Sequence, residues 1–161
     1  MDVREEIPIK SFSIAAYVCR IVSGRGRYLI LKRSSAYLNE TWQMVSGRIE
    51  PGERGWEAAL REIQEETGLV PDRFYSADAV EQFYEVSQNC INLVPVFVGF
   101  IDKEQPVILS GEHGAYKWIF PDEAEHYLIF QHQRAMLGHI EHQFVQNTPH
   151  EFLRIDMPGI I

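Results

Sequence analysis

Cysteine is scarce: Cys19 and Cys90 are the only two in 161 residues. That excludes a disulfide framework, and in a reducing compartment both are expected to be small core residues. Long apolar runs are missing as well. The longest mostly apolar stretch, Leu93 to Ile101, has nine residues and contains Pro95, whereas a membrane span needs about 20. No run of Pro, Gly or Ser resembles a linker and no segment repeats, so one domain over residues 1–161 is expected. The opening MDVREEIPIK is acidic and lacks the basic and apolar parts of a signal peptide, which makes the cytoplasm the expected compartment. Without a secretory signal, the sequon-like Asn39-Glu40-Thr41 is a chance occurrence. Positive charge is in deficit: 15 Lys and Arg face 23 Asp and Glu, a net charge of −8. Long nucleic acid is therefore an unsuitable main partner. A small phosphorylated substrate remains compatible if cations mediate its binding. A monomer and a homodimer are equally compatible.

What is present is the composition of an ordinary globular protein, 45% hydrophobic and 24% charged. Phe12 to Ile21 and Tyr28 to Leu31 predict two strands, with Ser23-Gly24-Arg25-Gly26 supplying the turn of a hairpin. From Tyr37 to Arg48 the periodicity is poor, which predicts a loop with short strand pieces. From Arg54 to Thr67 the period changes: Trp56, Ala59, Leu60 and Ile63 recur at helical spacing and Gly68 ends the pattern. Ala79–Val86 and Ile91–Ile101 read as strands, with Pro95 placing the second at a sheet edge or a bulge. Ala115–Phe120 reads as a short strand, Pro121 as a helix start, and Gln131–Gln146 as the last helix. This order predicts an α/β protein, a mixed sheet covered by helices.

The chemistry is concentrated between Gly47 and Leu69, GRIEPGERGWEAALREIQEETGL. Glu62, Glu65 and Glu66 fall within roughly one third of a helix circumference, at the edge of the apolar stripe. Carboxylates at i, i+3 and i+4 repel one another, more so when partly buried. A positive partner is expected among them. A hard divalent cation fits, since Mg²⁺ is usually held by carboxylates, waters and substrate phosphates; a solvated acidic face balanced by Arg54 and Arg61 is the alternative.

The spacing itself is distinctive. Gly47, five residues, Glu53, seven residues, then Arg61-Glu62-Ile63-Gln64-Glu65-Glu66-Thr67-Gly68-Leu69 resembles the Nudix box at every fixed position. A chance match at average residue usage has a probability on the order of one in a million. The resemblance implies a Nudix-type α/β/α sandwich whose loop, helix and loop bind Mg²⁺ or Mn²⁺, and hydrolysis of diphosphate linkages in nucleoside diphosphate derivatives. It implies that Glu62, Glu65 and Glu66 are metal ligands, with the Gly47 carbonyl as a further one. It also implies that Arg61 orients the carboxylates, and that Glu53 reaches the site through water or holds the loop.

A weaker resemblance links Trp42-Gln43-x-Val45-x-Gly47 and Glu112-His113-x-Ala115-Tyr116-Lys117-Trp118 to the subgroup containing bacterial dihydroneopterin triphosphate pyrophosphatase, also described as a dATP pyrophosphohydrolase. It implies that Glu112 is a general base or a further metal ligand; the plainer alternative is an exposed loop acid. Arg25, Arg27, Lys32 and Arg33 form a local basic stretch. Lys32 and Arg33, at a strand end, are the stronger phosphate candidates. Trp42, Phe83, Tyr84 and Phe12 are ring-stacking candidates, Trp42 foremost because it directly precedes the box. Ser23–Arg27 lacks the pattern of a phosphate loop. His139 and His142 have no third ligand nearby, and Cys19 has no base to activate it.

The expected activity is metal-dependent hydrolysis of a nucleoside triphosphate or analogue, such as dATP or dihydroneopterin triphosphate, to monophosphate and pyrophosphate. Either Glu112 or a helix glutamate would take the water's proton. A nucleotide sugar or dinucleoside polyphosphate hydrolase, or a non-catalytic nucleotide-binding module, are the alternatives.

Overall fold

The stretch expected as the first strand is buried on both faces, and that burial organises the molecule. The structure, a computed structural model, describes residues 4–36 and 38–158; Tyr37, where the expected loop begins, lies outside them. In chain order, β1 (Ile9–Lys10), β2 (Ser13–Val22), β3 (Arg25–Arg33), β4 (Trp42–Gln43) and β5 (Val45–Arg48) precede helix α1 (Gly55–Thr67). Then come β6 (Arg73–Glu85), β7 (Cys90–Phe100) and β8 (His113–Ile119), followed by α2 (Ala124–Tyr127) and α3 (Gln131–Ile140).

Successive side chains of β2 leave on opposite faces. Ile14, Ala16 and Val18 enter a core shared with Ala59 and Ile63 of α1, while Ala15, Tyr17 and Cys19 enter one shared with Met136, Leu137 and Ile140 of α3. A strand covered on both sides reads as an unbroken apolar run. The layers are those of an α/β/α sandwich around a mixed sheet, eight-stranded among the described residues. On one side β2 pairs with β7 in parallel. On the other it pairs antiparallel with β5 at Ser13–Ala16 and with β3 at Cys19–Val22. The β2–β3 turn is tighter than expected, two residues, with Ser23 and Gly24 at φ 52° and 78°.

The structure refines several expectations. Of the two settings expected for Pro95 it shows the bulge rather than the edge: β7 lies between β6 on one side and β1 and β2 on the other. Pro95 sits opposite Val80, where the β6 register breaks between Ser76 and Val80, so a bulge accommodates the missing donor. Asp78 takes φ 55° in that bulge, its N–H donating to Ser76 Oγ at 3.2 Å. The same bulge hid the first half of β6, which starts at Arg73 rather than Ala79. The final helix changes pitch: α3 ends at Ile140 and the chain continues as a wider π-helical turn over Glu141–Gln146. Pro121 starts a 3₁₀ turn that runs directly into α2, and Glu123 accepts the Phe120 N–H at 2.8 Å.

Helix α1 is delimited as expected. Glu57 Oε1 accepts the Arg54 N–H at 3.1 Å, and Gly68, at φ 72°, donates its N–H to Gln64 O at 2.8 Å. Among the described residues no helix is long and apolar enough to cross a membrane.

Candidate active site

At the middle of α1, the guanidinium of Arg61 gathers the acidic side chains around it. Nε and Nη2 donate to the two oxygens of Glu53 at 2.8 and 3.0 Å. Nη2 also donates to Arg48 O at 2.9 Å, and Nη1 to Glu62 Oε1 at 2.8 Å and Glu65 Oε2 at 3.1 Å. This fork couples the loop after β5 to the helix, which a lysine's point charge could not do. Glu53 also accepts the Glu50 N–H at 3.0 Å. Together Arg61 and that N–H hold its carboxyl down to about 2. Glu53 is thus built into the loop.

Glu66 lies in a different setting. It is only 7% exposed, and its Oε2 has no hydrogen-bond partner. Burial, then repulsion from Glu62 and Glu112, pushes its pKa up to about 8, against a backbone hydrogen bond from Ser46 and the charge of Arg33. Burial also raises Glu62 despite its contact with Arg61. Gly47, on β5 opposite Ile14, leaves room for Glu62: a Cβ there would collide with the Glu62 carboxyl.

Glu112 comes from another element and is tied to the same helix end. Ile108 N–H donates to Thr67 O at 2.8 Å and Ser110 N–H to Glu66 O at 3.3 Å, so the segment before β8 is laced to the end of α1. Ser34 N–H donates to Glu112 O at 3.0 Å. The Glu112 side chain is exposed, yet close enough to destabilise charge on both Glu62 and Glu66. Beside it His113 is buried, and burial followed by Arg33 lowers its pKa.

Among the described residues, no three His, Cys, Asp or Glu side chains converge tightly enough to hold a metal as they stand. Glu62 and Glu65 are drawn to Arg61. The donor set nevertheless suits a hard cation: a buried carboxylate oxygen lacks a partner and adjacent carboxylates repel one another.

A cleft of about 850 Å³ shares its wall with this cluster, through Arg33, Ser46 and Arg48. Farther along it, Phe83 stacks on His132 with centroids 4.6 Å apart, and Phe130 lies 5.6 Å from the same imidazole. Glu81 lines the cleft, its Oε1 accepting from Tyr17 Oη at 3.1 Å and its Oε2 3.1 Å from His132 Nε2. Burial pushes the Glu81 carboxyl up to about 7.

Of the sequence candidates outside the box, Arg33, Phe12, Phe83 and Tyr84 line this cleft. Trp42 and Lys32 do not. Tyr127 meets the Trp42 ring edge-on at 5.9 Å, and Lys32 lies over the same ring while pairing with Glu40 at 2.7 Å. Arg25 pairs with Asp122 at 3.0 Å, and Arg25 and Arg27 both lie over Phe120. His139 packs with Nε2 2.8 Å from Ala77 O, and burial pushes the Cys19 thiol up to about 12. Sequence reasoning missed Glu81, His132 and Phe130. Only the aromatic content around Phe83 hinted at them.

The family model described as the NUDIX domain matches residues 12–140. The bis(5'-nucleosyl)-tetraphosphatase [asymmetrical] of Rattus norvegicus is 32% identical over 124 residues, 76% of this chain and 82% of that protein. The nucleoside triphosphatase NudI of Salmonella newport (strain SL254) is 27% identical over 133 residues, 75% of this chain and 94% of that protein. The E. coli dihydroneopterin triphosphate pyrophosphohydrolase structure superposes with a TM-score of 0.67 at 23% identity, over 86% of this chain and 95% of that one, a likeness of fold. A family model spanning most of the chain, on a sequence that fills the whole box, leaves one assignment: the protein belongs to the Nudix family and is a hydrolase of nucleotide-type substrates.

Proposed function

We propose that the protein hydrolyses a nucleoside triphosphate, or an analogue carrying a triphosphate on another ring, to the monophosphate and pyrophosphate. The observation that carries this reading is the shared wall of the cleft. Arg33 and Ser46 border both the carboxylate cluster and a cavity with an aromatic flank, so phosphates and ring can be held at once. In this reading Glu62, Glu65 and Glu66 hold Mg²⁺ or Mn²⁺, with the Gly47 carbonyl beside them. A bound cation supplies charge against the triphosphate and a more acidic water. Arg61 keeps Glu62 and Glu65 oriented, and Glu53 fastens the loop. Glu112, facing the helix from the segment before β8, takes the proton of the attacking water. Arg33 pairs with the phosphates.

A second reading, hydrolysis of a dinucleoside polyphosphate, is favoured by the rat relative, whose name states that activity. Product analysis separates the two. With Mg²⁺, dATP, dGTP and dihydroneopterin triphosphate are expected to give pyrophosphate, seen as phosphate only after inorganic pyrophosphatase is added. Glu66→Gln is expected to lower that turnover by roughly a hundredfold or more. Cleavage of a dinucleoside tetraphosphate with no turnover of any triphosphate would sink the first reading in favour of the second.

A further inference from the structure

The part of the cleft formed by β6, β7 and the start of α3 contains a polar group that hydrolysis of a phosphoanhydride does not require. Glu81 is a glutamate 5% exposed, on the same strand face as the apolar Ala79 and Phe83, and it lines the cleft. Tyr17 donates to its Oε1 and His132 Nε2 contacts its Oε2. The imidazole is fixed between Phe83 and Phe130. Burying a carboxyl in an apolar wall is unfavourable unless its oxygens are used. Each oxygen has two acceptor sites, and these contacts use one on each. Whichever atom holds the proton between Oε2 and Nε2, Oε1 remains an acceptor.

The neighbouring groups are unbalanced in the same sense. Gln133 Oε1, also lining the cleft, is buried with no partner. The nearby amide of Asn92 directs Nδ2 to Glu85 Oε2 at 3.0 Å. Glu81 Oε1 and Gln133 Oε1 therefore both keep acceptor capacity at this end of the cleft. A buried acceptor left unpaired costs about 1–3 kcal/mol, so the complementary ligand brings N–H groups.

We propose that Glu81, braced by Tyr17 and His132 and assisted by Gln133, determines ring specificity by selecting a heterocycle with two adjacent N–H donors: the amino-oxo edge of a guanine-type or pterin-type ring. Adenine offers an acceptor nitrogen beside its amino group, which would face Glu81 acceptor to acceptor. The inference rests on the reading of this cleft as a nucleotide site and adds the residue that discriminates between rings.

The test is equilibrium titration of dGMP, dihydroneopterin monophosphate and dAMP against the wild-type protein and Glu81→Gln, with kcat/KM on the matching triphosphates. The wild type is expected to bind at least one amino-oxo ring about tenfold more tightly than dAMP. The tighter of dGMP and the pterin then identifies the source of the ring. Glu81→Gln presents a donor beside an acceptor, the pattern that suits adenine. It is expected to erase that preference, with the change carried by KM more than by kcat. Should Glu81→Gln not fold, Gln133→Leu is expected to reduce the preference at least about threefold. Equal binding of all three rings by the wild type, or an unchanged ratio in the folded variant, overturns the inference. Absence of triphosphate turnover with a ring preference that still depends on Glu81 would overturn the proposed reaction alone.

Discussion

Glu62 lies against the backbone of Gly47 so closely that a methyl group on Gly47 would overlap its carboxyl. The clash is with the end of a side chain that can swing away, so Gly47→Ala is expected to lower activity far more than stability. We expect turnover reduced at least about tenfold with a stability change within about 1 kcal/mol. Because the loss acts through Glu62, Gly47→Ala combined with Glu62→Ala is expected to be no worse than Glu62→Ala alone. Steady-state rates and urea unfolding of the three variants check this.

Arg61→Lys keeps the charge and loses the fork. The five contacts to Glu53, Glu62, Glu65 and Arg48 O cannot all be made by one ammonium. Faster amide exchange over residues 48–54 and a tenfold or greater fall in kcat are expected. Unchanged exchange there would show that the fork does not hold the loop.

Removing divalent ions with EDTA is expected to abolish turnover, and Mg²⁺ or Mn²⁺ to restore it. The structural counterpart is thermal. A cation that binds the folded chain stabilises it by mass action, so saturating Mg²⁺ is expected to raise Tm by several degrees. It is expected to do so much less in Glu66→Gln, which lacks the charge the cation would relieve. An equal rise in both proteins would place the ion elsewhere.

Glu81 makes stability depend on pH in a definite direction. Its folded pKa of about 7 lies above the ordinary 4.5, so between those values the folded chain keeps a proton the unfolded chain has lost. The resulting stabilisation is complete below about pH 4.5 and disappears as pH rises to 7, with a size on the order of 3 kcal/mol. His132, lowered by burial, acts oppositely, losing stability as pH falls through 6.5. Comparison with Glu81→Gln isolates the carboxyl: this uncharged variant is expected to gain on the wild type from pH 4.5 to 7. Parallel stability curves would contradict the burial argument.

The helix and its carboxylates were legible because the box is local. Arg61, Glu62, Glu65 and Glu66 meet by helical spacing alone, and Glu53 lies only eight residues before Arg61. The Glu81 end of the cleft was not, since Tyr17 on β2 meets Glu81 on β6 only through the strand β7 between them, parallel to β2 and antiparallel to β6, and His132 comes from α3. Trp42 and Lys32, close to the box in sequence, lie off the cleft: Trp42 on β4 meets Tyr127, and Lys32 on the paired strand β3 bonds Glu40. Pro95 pointed to an irregularity, but whether that meant an edge or a bulge depended on β1 and β2 pairing along its far side.

One strand serves as the ruler for the whole cleft. Ile14 and Ala15 of β2 fix the heights of Gly47 and Ser46, while Tyr17, two positions beyond Ala15, reaches Glu81. The span from the Gly47 side of the carboxylate cluster to Glu81 is thereby set by covalent geometry within a few residues of β2. A one-residue slip would exchange the strand's inner and outer faces and misalign both stations together. In the proposed reaction, that spacing along β2 would gauge the length of the substrate.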